Sequence, residues 1–381
     1  MRVAVEATSV APGGGLSFLR GAVRVLAEDH GIDVDVFAHP ALAKEGFSRG
    51  ARVLVTGPFR GLGHRLIWVQ SVFPRCATRY DAIFAPGNLA PLAVAPKTVL
   101  FLQNAHVVPQ PLWRAEYRTS KRRLQRLMAR LSIRRAGRVL FISETLKMWA
   151  RPYWSGNRIE PGVAHPGVTI PVDSVKPSAA GRDVLVVGNL VPHKRVDRTL
   201  RAFALLTRSR VPVGRLRIAG DAASPALTRS LRDAATREGV AEKVDFLGFL
   251  RSDALSHCYA SSGCYLSTSA LEAFPLPPLE AIATGTPAVV PDTPPFREVC
   301  GPSGLYFADH DEAIAQRIAD ALSQTGQQGD WQRKGSERAA MFTWPAFGDK
   351  IASALSVVAR GGDATLATVH VGSRRRIECD S

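Results

Sequence analysis

The stretch EPGVAHPGVTIPVDSVKPSAAG, residues 160–181, carries four prolines and three glycines and has no helical period. Proline fixes its own φ and donates no backbone hydrogen bond, so such a run neither continues a helix nor sits inside a sheet. On either side the chain follows one rule: a short apolar strand gives way to a turn and then to a stretch with helical spacing. Upstream, RVAVEA leads through PGGG to Leu19, Val23 and Leu26 at helical spacing, and IDVDVF then alternates with period two. Further strands are expected at 52–56, 82–84, 98–102 and 139–142. Downstream, DVLVVGN, RLRIAG, VDFLGF, CYLST and PAVV read as strands, with helices expected at 199–206, 226–238, 253–260 and 278–284.

Strands alternating with helices predict parallel sheets covered on both faces, an α/β fold class. A chain of 381 residues is too long for one ordinary core. Two Rossmann-like, doubly wound domains are therefore expected, one over 1–172 and one over 173–344. An amphipathic helix at 345–362 should then cross back to the first domain, and 363–381 reads as a frayed tail.

Charge is unevenly divided. Residues 1–170 hold 24 Lys and Arg against 10 Asp and Glu, whereas 171–381 hold 25 against 23. A basic first half points to an anionic partner, nucleic acid or an acidic membrane surface. Aromatics are 7% of the chain and form no stacking cluster among the basic residues, which argues against nucleic acid. Five cysteines, Cys76, Cys258, Cys264, Cys300 and Cys379, make no CxxC pair and fit reduced thiols. The first ten residues, MRVAVEATSV, lack the apolar run of a signal peptide, and no run approaches a membrane span, so the cytoplasm is the expected location, with the inner membrane face as a peripheral site.

In a doubly wound sheet ligands bind beyond the carboxyl ends of the strands, where loops enter helices. In LEAFPLPPLEAIATGTPAVV, Glu272 falls in the loop after CYLST, and Glu280 is expected in the first turn of the next helix. Both carboxylates should reach one cleft mouth and accept hydrogen bonds from vicinal hydroxyls. The plainer reading has Glu280 only complementing the helix dipole.

Four segments in order, VGNLVPHKRVDRTLRAF (187–203), VDFLGF, LEAFPLPPLEAIATGTPAVV and PPFREVCGPSGLYF, resemble the retaining nucleotide-sugar glycosyltransferases with a Glu-x7-Glu motif (glycosyltransferase family 4, group 1 type). The resemblance is strong from 184 to about 350 and loose before that. It implies the GT-B fold, with two domains facing across a cleft. It implies that Glu280 binds the donor ribose, that Glu272 contacts the donor sugar and that Lys194 grips the diphosphate. Where the family has Arg after VG, this chain has Asn189 beside Gly188, and Arg195 is the compensating cation. Where the family commonly reads EGFGLP, this chain reads EAFPLP; Pro275 removes a backbone N–H and leaves Phe274 and Leu276 on the donor side.

The first domain should hold the acceptor. Gly13, Gly14 and Gly15 allow close backbone approach in front of a helix, and Asn104 and His106 in VLFLQNAHVVPQP should border the acceptor and the reacting carbon, with His106 among the catalytic residues. Asp33-Val34-Asp35 spells a metal-binding DxD, but it alternates with apolar residues and reads as the polar face of a strand. No metal and no cofactor is expected. The donor is a nucleotide diphosphate sugar, GDP-mannose or a UDP-sugar, with the spelling LVPHKRVD leaning to mannose.

The implied reaction moves a sugar to a saccharide or lipid-linked acceptor in cell-surface polysaccharide or glycolipid synthesis. Lys194 and Arg195 would supply the positive charge that the departing diphosphate needs. A glycosidase-like pair of carboxylates is the alternative mechanism; a sugar-nucleotide epimerase and a basic nucleic-acid-binding protein are the alternative functions. Residues 113–138 hold ten basic residues and one acidic residue. On a helix, Leu124, Leu127, Met128 and Leu131 form an apolar stripe expected to pack on the domain, with Arg123, Arg126, Arg130 and Arg134 beside it to meet anionic lipid.

Overall fold

A computed structural model describes residues 1–10, 14–43, 47, 50–57, 59, 61–110, 119–157, 160–168, 181–209, 211–323 and 328–361. The first lobe is built on a seven-stranded parallel sheet. Its strands are β1 (Arg2–Ala7), β2 (Asp33–Ala38), β3 (Ala51–Val55), β4 (Ala82–Ala85), β5 (Thr98–Leu102), β6 (Arg138–Phe141) and β7 (Gly162–Val163), in the spatial order β3-β2-β1-β4-β5-β6-β7. The second lobe has β8 (Val184–Val187), β9 (Leu216–Ala219), β10 (Val244–Gly248), β11 (Cys264–Leu266), β12 (Ala288–Pro291) and β13 (Gly304–Phe307), ordered β10-β9-β8-β11-β12-β13. Helical crossovers cover both faces, which is why strands such as TVLFL and AVVP are buried along their whole length.

That same coverage corrects the reading of Asp33 and Asp35. Strand β2 lies between β1 and β3 and has no solvent face. Asp33 is exposed at the strand's start, but Asp35 is buried. The Asp35 carboxylate accepts two hydrogen bonds from Arg52, at 2.7 and 3.0 Å, and one from the Tyr80 hydroxyl at 2.6 Å. Burial raises its pKa, and the Arg52 and Tyr80 contacts more than reverse this, holding it below the ordinary carboxylate range. Asp35 is thus a buried structural anion.

Part of the proline-rich run is structure rather than linker. Gly162 and Val163 add the seventh strand beside Leu140 and Phe141, and the Val168 N–H donates to the Phe342 carbonyl at 3.3 Å. The boundary expected at 172 and the tail expected at 363–381 lie outside the described residues.

The last helix, Trp344–Ala359, starts at the N-cap Thr343 and packs on the first lobe. Phe347 sits edge-on to Phe18 and Phe101, with ring centroids 5.5 and 5.6 Å away, and Lys350 donates to the Val163 carbonyl at 2.8 Å. Gly21 makes room for this helix, since a Cβ there would lie 2.3 Å from the Trp344 ring. The apolar core of the first lobe also runs on through Leu271, Ala273, Phe274 and Leu279 of the second.

Strand order reverses once in each sheet, between β1 and β4 and between β8 and β11. The loops leaving these strands splay apart there and open a crevice at the carboxyl edge. Each lobe therefore offers one built-in place for a ligand.

Candidate active site

At the crevice of the second lobe, β8 ends at Val187 and Gly188 takes φ +138°, a conformation that disfavours any side chain. The chain turns through a single 3-10 turn, Pro192–Lys194, and Arg195 at φ +51° starts the Val196–Arg208 helix. This turn folds Lys194 back beside Gly188, where an added Cβ would lie 3.7 Å from the Lys194 Nζ. The loop after β11 is laced to the turn: the Ala270 N–H donates to the His193 carbonyl at 2.8 Å, and the Thr268 hydroxyl lies 3.0 and 2.9 Å from the Lys194 and Arg195 carbonyls. Lys194 Nζ consequently donates to Glu272 Oε1 at 2.5 Å. Glu272 takes one of the three ammonium protons, and a ligand in the crevice could take the other two.

At the crevice of the first lobe the fixed point is Asn88, with φ +67°. Asparagine tolerates this left-handed turn, and its Oδ1 accepts the backbone N–H groups of Gln103 and Asn104 at 2.9 and 3.0 Å. Asn104 caps the short Ala105–Val107 turn, its Oδ1 accepting the His106 N–H at 2.9 Å. These bonds tie the loops after β4 and β5 together and set His106 at the mouth.

The two crevices face each other across a cavity of about 330 Å³. Gly15, Asn88, Asn104 and His106 line the first-lobe side, and His193 and Glu272 line the other. The His106 and His193 rings meet edge to face with centroids 5.1 Å apart. Burial, reinforced by Arg122, pushes the His106 pKa down to about 4, and burial lowers that of His193 as well. Both imidazoles are therefore neutral near pH 7 and can donate or accept one hydrogen bond at each nitrogen.

Glu280 departs from its expected place. The helix Leu276–Ala283 begins two residues earlier than the sequence pattern predicts, with prolines in its first turn, so Glu280 is the fifth residue and not in the first turn. Interaction with the helix dipole falls off beyond the first turn, which removes the plainer reading. Glu280 is buried and accepts a hydrogen bond from the Tyr259 hydroxyl at 3.0 Å. Burial raises its pKa to about 7 despite that bond.

Among the other expected residues, Gly15 lines the cavity, Gly14 opens the Gly14–Arg24 helix with free space at its Cβ position, and Gly13 lies outside the described residues. Asn189 is exposed, and Leu276 starts its helix half-buried. The Arg195 guanidinium is 3.8 Å from Asp309, which also pairs with Arg198, so its charge is partly neutralised there. The Phe274 ring is buried against His165 and Phe342, centroids 5.6 and 5.5 Å away, and packs where the lobes meet instead of lining the cavity. Sequence reasoning does not single out His193 or Asn88. A histidine next to the lysine, and an asparagine after a glycine at a strand end, are the signals that point to them.

The basic helix is Ser120–Arg135; of the expected stripe Met128 packs half-buried on the core, but the most buried face is a different one, and 111–118 lie outside the described residues. Ala129, Ser132 and Ile133 are buried, because small side chains let the helix approach closely and the Ser132 hydroxyl accepts the Ala90 N–H at 2.9 Å. Leu124 and Leu127 stay 42% and 53% exposed, and Arg126 is only half-exposed. Among the described residues no helix is long and apolar enough to cross a membrane.

Known proteins resemble this chain. The family model for glycosyl transferases group 1 matches residues 174–338. The O-antigen chain mannosyltransferase B of Escherichia coli is 30% identical over 165 residues, 42% of each chain. A GDP-mannose-dependent alpha-(1-6)-phosphatidylinositol dimannoside mannosyltransferase of Mycobacterium tuberculosis is 33% identical over 181 residues, 46% of this chain and 45% of that one. The match thus spans less than half the length of either relative. A sucrose-phosphate synthase of Thermosynechococcus elongatus superposes over 93% of this chain and 98% of its own with a TM-score of 0.76 at 18% identity, which extends the likeness in fold to both lobes. The second lobe, residues 174–338, thus matches the group 1 glycosyl transferases, and the two facing lobes have the GT-B fold.

Proposed function

We propose that this chain is a retaining hexosyltransferase that moves a sugar, mannose first among candidates, from a nucleotide diphosphate sugar to a hydroxyl of a saccharide or lipid-linked acceptor. The observation that carries the reading is the Lys194–Glu272 pair at the crevice of one lobe, opposite a wall of neutral amide and imidazole groups on the other. As the bond from the anomeric carbon to the diphosphate oxygen breaks, negative charge grows on the leaving group. In this reading Lys194 meets it with its remaining protons. Glu272 orients donor hydroxyls and holds Lys194, while Glu280 accepts from the ribose. The acceptor oxygen bonds to the anomeric carbon from the face the diphosphate leaves, and its proton passes to the leaving phosphate oxygen. His106, neutral at physiological pH, orients a hydroxyl without placing a second positive charge beside the cationic sugar. The mannosyl lean draws on the names of the two relatives. Incubation with GDP-mannose and UDP-glucose, reading diphosphate release and the product's anomeric configuration by NMR, tests it. Inverted product, or no release from any nucleotide sugar of a broad panel, refutes it.

A peripheral membrane role rests on a separate observation. Leu124 and Leu127 are exposed side by side with Lys121, Arg123, Arg130 and Arg134 on the Ser120–Arg135 helix. An apolar ridge flanked by cations suits an anionic bilayer surface, with about 1 kcal/mol from each basic residue close to it. This would bring the acceptor crevice to a lipid-linked substrate without a membrane span.

A further inference from the structure

The loop that carries Glu272 belongs to the second lobe by sequence, yet at Ala273 its backbone is held by the first. Ser143 follows β6 and is fully buried. Its hydroxyl donates to the Ala273 carbonyl at 2.7 Å and accepts the Leu146 N–H at 3.0 Å, capping the Glu144–Trp149 helix. The two preceding N–H groups of that helix, from Glu144 and Thr145, go to the carboxylate of Glu298 in the other lobe, at 2.6 and 2.8 Å. The Thr145 hydroxyl adds a bond to Glu298 Oε2 at 2.6 Å, and His165 Nε2 lies 3.0 Å from Oε1. His165 in turn stacks on Phe274 at 5.6 Å and 25°. Thus Ala273 and Phe274, the two residues after Glu272, are each gripped by a first-lobe residue, and one second-lobe carboxylate ties both grips together.

We infer that Ser143 and Glu298 are positioning residues that clamp the 272–274 loop across the lobe junction, so that the placement of Glu272 depends on the register of the two lobes. The physical reason is economy of partners. The single proton of Ser143 is committed to Ala273, and four donors converge on Glu298. Burial raises the Glu298 pKa, but His165, Thr145 and the two helix N–H groups outweigh it and keep the carboxylate ionised. Charged acceptors make stronger bonds than neutral ones and an amide nitrogen accepts none, so Glu298→Gln, at nearly constant volume, takes the acceptor from two of the four bonds and weakens the other two. Neither residue lines the cavity. Their effect must pass through the loop. The inference rests on the transferase reading for its kinetic consequence but not for its structural one.

Two variants, Ser143→Ala and Glu298→Gln, and their double mutant test this. Hydrogen exchange read by mass spectrometry should rise about tenfold over 270–276 in each, the factor for losing a bond of ordinary strength. Exchange in β8 should stay unchanged, as should the affinities for GDP and UDP. The rate at which the enzyme hydrolyses GDP-mannose or UDP-glucose without acceptor should fall in kcat and not in KM, and the double mutant should be little worse than either single one, as expected of residues acting as one unit. Unchanged protection of 270–276 in both single variants overturns the clamp. Faster exchange with unaltered kcat, or loss only in KM, overturns the positioning role. If the wild-type protein turns over no nucleotide sugar, the transferase reading and the positioning role fail together, while the exchange data still decide the clamp.

Discussion

Glu280 makes stability depend on pH in a direction opposite to most carboxylates. Its pKa rises from 4.5 to about 7 on folding because its carboxylate is buried with one hydroxyl donor, Tyr259. Between these values the native state binds more protons than the unfolded state, so the stability from this residue is present at low pH and is lost as pH rises through about 7. From pH 5 to pH 8 the swing works out at roughly 2 to 3 kcal/mol, because each tenfold gain in proton affinity on folding is worth about 1.4 kcal/mol. Glu280→Gln keeps an acceptor for Tyr259 and cannot titrate. Urea denaturation of both proteins at several pH values should show the variant gaining on the wild type by about that amount between pH 5 and pH 8. Parallel stability profiles across this range would mean that Glu280 ionises normally, and its burial would then have to be relieved by solvent. A donor ribose that hydrogen-bonds the carboxylate should restore ionisation, so saturating donor should flatten the wild-type profile.

The other predictions are briefer. Lys194→Ala should lower kcat by about 10² to 10³, the usual loss on removing one preorganised charge-stabilising donor, while near-normal turnover would remove Lys194 from the mechanism. His106 is held neutral by burial, so its unfolded-state protonation drains stability as pH falls from 6.5 towards 4; thermal melts of His106→Gln should show a smaller loss over that window than the wild type, and equal losses would refute the burial account. Gly21→Ala places a methyl against the Trp344 ring and should destabilise the protein by about 1 to 3 kcal/mol through the packing of the last helix, and an unchanged melting temperature would show that the helix shifts freely. Co-sedimentation with anionic but not neutral vesicles is expected, weakened by Leu124→Ser with Leu127→Ser and by Arg123→Gln with Arg130→Gln; equal binding to both vesicle types, or to neither, would sink the membrane reading.

Much of the architecture is legible in the sequence because parallel strands announce themselves. TVLFL, AVVP and VLVV show near-continuous apolar runs in place of alternation, the mark of a sheet covered on both faces. Alternation misleads in the same setting. The spelling DVDVF suggests a wet face, and nothing in the local sequence reveals that Arg52 and Tyr80, far along the chain, seal Asp35 inside. The Ser120–Arg135 helix fails for a related reason: a leucine stripe marks the most apolar face, but close approach selected the face with Ala129 and Ser132. Strand β7 escapes notice because two residues carry no period. Of the candidate site, Glu272, His106 and Asn104 line one cavity and Lys194 joins them through Glu272, since each follows a strand at the same edge of its sheet. His193 is signalled locally only by its place next to Lys194, and the ring that faces it, His106, comes from the other lobe. The Ser143–Ala273 and Glu298–Thr145 bonds join residues 130 and 153 positions apart, and no local pattern encodes such pairs.

The spacing of Glu272 and Glu280 gains its meaning from where the helix begins. Eight residues would place two carboxylates on similar faces of one continuous helix, where they would share an environment and repel. Here Pro275 sits at the N-cap and the helix starts at Leu276, so the first glutamate stays in the loop and the second lies a turn and a half inside. Glu272 is half-exposed at the cavity and ion-paired with Lys194, whereas Glu280 is buried beside Tyr259 with its pKa near 7. One carboxylate faces a cation, and the other is poised between its two protonation states by burial. Acids placed in environments this different serve different tasks. A carboxylate held against Lys194 suits orientation of the donor sugar in the proposed reaction. A group whose charge responds to a partner suits recognition, because a hydroxyl pair arriving from the ligand would itself supply the bonds that make ionisation favourable.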